Sequence, residues 1–173
     1  MKFDFIRPNL FKAICVLGIT NFANLATAHT FSGAINGNGG VSVLAAATDY
    51  YQLTCDQSKA AGAESTLPAA KMVISIRDTT AGASLVGVTL SKPDTASGPN
   101  APANNKSQTT IDAVGGADPV YSPEVSIAGG EGVYYATVFH TGNSTDNFAS
   151  TFHCLDAAGV HSGTAAALRI SNQ

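Results

Sequence analysis

The sequence predicts an all-β protein, an antiparallel β-sandwich of the Ig-like or PPC-like kind closed by one disulfide. Three observations predict it. Apolar residues recur at every second position in one segment after another, the pattern of a strand with one buried face. Gly, Asn and Pro clusters punctuate those segments at short intervals. Cys55 and Cys154 fall on the inward faces of two such segments, where they can staple one sheet to the other.

The chain opens with Lys2, Arg7 and Lys12, then the apolar stretch 13–19, then Ala26-Thr27-Ala28. A basic start, a short apolar run and a small-x-small site describe a secretory signal over 1–28. The run is far short of the roughly 20 residues that span a bilayer. Cys15 would leave with the signal. The remainder, 29–173, has the length of one domain and begins at His29. The first 28 residues hold three of the nine basic and one of the twelve acidic side chains. The rest therefore has six and eleven, a net charge of −5 with histidine neutral. Without a basic cluster, nucleic acid is excluded as a partner. The expected location is the periplasm or the outside of the cell, with no membrane span in the mature form.

Strands are expected, in order, near 30–35, 41–45, 50–56, 71–78, 85–91, 109–114, 124–128, 132–140, 147–155 and 164–171. Tyr51, Leu53 and Cys55 share a face, as do Met72, Ile74 and Ile76, and Val86, Val88 and Leu90. Phe148, Ser150, Phe152 and Cys154 share another, which puts His153 on the opposite, exposed side. Asn36 to Gly40 reads as a turn, Ala45 to Ala47 as one possible helical turn, and Pro93 to Gln108 as a surface loop. Gly142 to Asn147 reads as a hairpin loop. In an oxidising compartment the two remaining cysteines form a disulfide.

Gly129-Gly130-Glu131-Gly132-Val133-Tyr134-Tyr135-Ala136-Thr137-Val138, followed by Phe148-Ala149-Ser150-Thr151-Phe152, resembles the glycine–tyrosine strand and following hairpin of bacterial pre-peptidase C-terminal (PPC) domains. The whole chain is also similar to small exported proteins of Gram-negative bacteria. The resemblance to PPC domains lies mainly in residues 129–154. It implies an Ig-like sandwich and an accessory role, although PPC domains usually accompany a protease and this chain contains none.

No catalytic set emerges. Gly159-Val160-His161-Ser162-Gly163 lacks the Gly-x-Ser-x-Gly spacing and the strand–helix elbow. The Gly37–Gly40 run has no phosphate-loop lysine. Without tryptophan, sugar binding on aromatic platforms is not expected. The expectation is a non-enzymatic binding or structural module for an unknown protein or metal-ion partner. Its alternative is copper binding. Cleavage after Ala28 gives His29 a free α-amine beside its imidazole, and these two nitrogens with a second imidazole favour Cu(II). In this single residue the chain resembles histidine-brace proteins such as lytic polysaccharide monooxygenases and periplasmic copper carriers. His140, His153 and His161 are the candidates for the second imidazole, with His153 and His161 favoured for their closeness to Cys154. Calcium is the lesser metal option, through loop acids such as Asp112, Asp118, Glu124, Glu131, Asp146 and Asp156.

Overall fold

A computed structural model describes residues 28–36, 47–62, 64–82, 84–93 and 105–171. Residues 1–27 of the expected signal, the Gly37–Gly40 turn, the 41–45 strand, most of the Ala45–Ala47 turn and residues 94–104 of the expected loop lie outside the described residues. Among the described residues, ten strands form two five-stranded antiparallel sheets. They are β1 (His29–Ile35), β2 (Thr48–Cys55), β3 (Lys71–Asp78), β4 (Val86–Lys92), β5 (Lys106–Ile111), β6 (Val125–Ala128), β7 (Gly132–His140), β8 (Asp146–Leu155), β9 (His161–Ser162) and β10 (Leu168–Ser171). One sheet runs β1-β8-β3-β6, with β9 also on β8. The other runs β10-β2-β7-β4-β5. This is the expected β-sandwich.

The alternating residues build the core. Met72, Ile74, Ile76, Phe148 and Phe152 of the first sheet meet Leu53, Val86, Val88, Leu90, Ala136 and Val138 of the second, all at or near zero exposure. Each large side chain so buried contributes about 1.5–3 kcal/mol. The disulfide joins Cys55 in β2 to Cys154 in β8, so it staples sheet to sheet across this core.

Three expectations change. The Gly142–Asn147 segment is not a hairpin loop, because β7 and β8 belong to different sheets and the segment carries the chain across the sandwich. The 109–114 strand lies earlier, at Lys106–Ile111. It is an edge strand exposed along most of its length, so it has no apolar period to read. The 164–171 strand shortens to β10 in the second sheet, with Thr164 only bridging to Cys55, and the unexpected two-residue β9 precedes it in the first sheet. The edge strand β10 is latched by Arg169, whose guanidinium donates to the fully buried Asp49 carboxylate at 2.6 Å.

Candidate histidine site

The wiring of β8 brings the histidines together. One side of β8 is taken by β3. Its other side takes β1 as far as the pair His29↔Phe152, then β9 at Cys154↔Ser162 and Leu155↔His161. The two strands therefore lie end to end on one edge, and His153 falls at their junction. His161 occupies the centre of a stack. Its ring lies 5.8 Å from that of His29, with planes 9° apart, and 5.5 Å from that of His153, with planes 30° apart.

Backbone constraints fix the central ring. The carboxylate of Asp156 accepts from the amides of Ala158 and Val160, and so forms the turn that returns the chain as β9. Ser65 Oγ donates to the same carboxylate, and the Ser65 amide donates to the His161 carbonyl at 2.6 Å. Gly163 presses on the preceding segment so closely that a Cβ there would stand 2.1 Å from the Asp56 carbonyl oxygen. The Asp56 amide donates to the Gly163 carbonyl. Beside this, the Cys154 amide donates to Thr164 Oγ1, within the part of the fold the disulfide ties down.

The ring nitrogens are poorly satisfied. Nδ1 of His29, Nδ1 of His153 and Nε2 of His161 are buried with no hydrogen-bond partner. His161 is only 5 % exposed. Its Nδ1 has Glu64 Oε1 at 3.0 Å, a charge contact whose direction is too oblique for an aligned hydrogen bond. Burial holds the His29 imidazole below its usual pKa, and the neighbouring His161 pushes the same way against the opposing pull of Glu64. Burial also lowers His153. Glu124 opposes that shift, while His161, His29 and Lys71 reinforce it. Both rings are thus held toward the neutral form, the form that offers a lone pair to a metal.

His153 is half-buried against His161 rather than exposed, and His161 lies in a strand rather than a turn. His140 does not join them. At the opposite end of β8 its Nδ1 sits 2.7 Å from the buried Asp146 carboxylate, which also accepts from Ser84 Oγ. That pairing ties β7 to β8 and the loop before β4. Sequence reasoning missed Glu64, a loop residue with no periodic signal around it.

The acids considered for calcium mostly cap turns. Asp112 accepts from the Asp78 and Val114 amides, Asp118 from that of Val120, and Glu131 from that of Gln57. Among the described residues no three His, Cys, Asp or Glu side chains already converge to hold a metal ion. The chain matches no protein-family model, no curated protein and no solved structure.

Proposed function

We propose that this is an exported, non-enzymatic binding module of the periplasm or extracellular space whose ligand is a copper ion, held at the junction of β1, β8 and β9. The observation that carries this reading is the stack itself. Residues 29, 153 and 161 meet on one edge, with buried, unpartnered ring nitrogens on all three. Unpartnered buried polar atoms cost about 1–3 kcal/mol each, and a bound cation would offset that. Imidazole donors suit copper, zinc and nickel, and copper(II) leads that series in affinity.

Stacked rings cannot all bind one ion as they stand. To hold an ion together, His29 and His153 would have to turn about their side-chain torsions, with His161 kept in place by the hydrogen bonds that anchor β9. Removal of the signal after Ala28 would add the α-amine of His29 as a further nitrogen. Glu64 Oε1, 3.0 Å from His161 Nδ1, would place a negative charge behind that ring if it held a metal.

The test is a Cu(II) titration of protein processed to begin at His29, followed by electron paramagnetic resonance. Tight one-to-one binding with a nitrogen-rich signal is expected. It should weaken at least tenfold in His161→Gln, and also when one residue precedes His29. Equal, weak binding by all three forms would refute the copper reading and leave a module for a protein partner.

A further inference from the structure

The outer face of the β10-β2-β7-β4-β5 sheet has a chemistry unlike the rest of this acidic protein. Side chains opposite one another on neighbouring strands point to the same face, so the strand pairing defines rows across it. One row runs Tyr50, Thr137, Thr89, Thr109. The next runs Gln52, Tyr135, Ser91, Ser107. No outward position of β2, β7, β4 or β5 carries a charge. Neighbouring positions within a row are about 4.8 Å apart, the scale of one pyranose ring.

Three aromatic rings stand on this face. Tyr50 and Tyr135 stack with centroids 5.2 Å apart and planes 8° from parallel. Phe139 lies over the backbone of Gly87, so close that a Cβ at Gly87 would fall 2.3 Å from the ring. Glycine at position 87 thus lets an aromatic ring lie down on the sheet. Beside the tyrosines is a groove of about 220 Å³, lined by both of them with Ser91, Asn105 and Ser107. Lys92 and Lys106 close its end, but their ammonium groups reach away to the backbone carbonyls of Gly130, Glu131 and Ala128.

We infer that this face binds a neutral polysaccharide, with sugar rings against Tyr50, Tyr135 and Phe139 and sugar hydroxyls on the Ser and Thr rows. Tyrosines supply the platform expected to be absent in a chain without tryptophan. Aromatic rings accept the C–H faces of sugars, and a tyrosine hydroxyl adds a polar handle. An uncharged face gives a charged ligand nothing to pair with. A second copy of this chain would bring its own negative charge against the first, whereas a neutral glycan meets no such repulsion.

The test is affinity electrophoresis through gels containing β-glucan, xylan, galactomannan or α-glucan, with alginate as an anionic control. At least one neutral polymer should retard the protein, and alginate should not. Tyr135→Ala and Thr137→Glu should each weaken retardation at least tenfold while far-ultraviolet circular dichroism stays unchanged. Thr137→Glu places a charge beside Tyr50 while keeping both tyrosine rings, so it serves even if Tyr135→Ala misfolds. No retardation by any neutral polymer, or retardation that survives Thr137→Glu, would overturn the inference. So would sedimentation as a dimer that Thr137→Glu converts to monomer, since the face would then be self-covering.

Discussion

Asp78 shows what burial does to a single side chain in this fold. It is fully buried at the end of β3, with one carboxylate oxygen bonded to the Thr80 amide and the other unpartnered. Burial, and then the carboxylates of Asp146 and Asp112, raise its pKa above the ordinary value, against the Thr80 and Gly116 amides. A carboxyl whose folded-state pKa is raised stabilises the fold below its unfolded pKa and loses that contribution as pH rises through the folded value. At pH 7 wild type therefore carries a charge that the fold disfavours. Asp78→Asn, which keeps the acceptor for Thr80, should raise the urea midpoint at pH 7, with the advantage shrinking as pH falls toward 4. An advantage independent of pH would show that the charge is not the cause. None of this could be read from the sequence. Asp78 follows the apolar positions of β3 and looks like a solvated strand end, whereas Asp112 and Asp146 reach it from distant segments. The same holds for the buried Asp49, whose exposed partner Arg169 is 120 residues away.

Among the elements, β9 is the shortest and the most constrained. Its two residues are buried, and the glycine that follows touches backbone, not a flexible side chain. Gly163→Ala should therefore cost about 2–3 kcal/mol, a fall in melting temperature of roughly 5–10 °C. If β9 sets the position of His161, copper affinity should fall with it. Unchanged melting would mean that the 56–60 segment shifts freely. Elements with one clean apolar stripe were legible in the sequence: β2, β3, β4, β7 and β8 lie within two residues of their expected bounds. Cys55 and Cys154 also pointed inward as expected. The edge strands β1 and β6 also lie within one residue of their expected bounds, whereas β5 and β9 were not legible in this way. β5 shows both faces to solvent along most of its length, and β9 is too short to display a period. The three-histidine junction was half legible. His29 stood out by the small-x-small site, and His153 and His161 by closeness to Cys154, but the strand pairing is what brings the three together and leaves His140 at the other end of β8.

For the molecule as a whole, one covalent bond links two sheets that otherwise meet through side-chain packing. It joins positions 99 apart in sequence. Closing so long a loop in the unfolded chain stabilises the fold by up to about 4–5 kcal/mol. The double substitution Cys55→Ser with Cys154→Ser should lower thermal stability by a large part of that figure. Wild type melted with a reductant should approach the same value. If reduction leaves the melting temperature unmoved, the core alone holds the sandwich together. The histidine junction lies next to the bond, so its geometry should loosen before the opposite end, where His140 and Asp146 pair.

The position of β1 also fixes an order in time. Among the described residues its one strand partner is β8, so the pairing joins Ile35 to Asp146 across more than a hundred residues of chain. Such distant pairing slows folding and leaves an open strand waiting. The sheet that gathers the histidines is therefore completed late, because β8 and β9, which bring His153 and His161 beside His29, are made after its other strands.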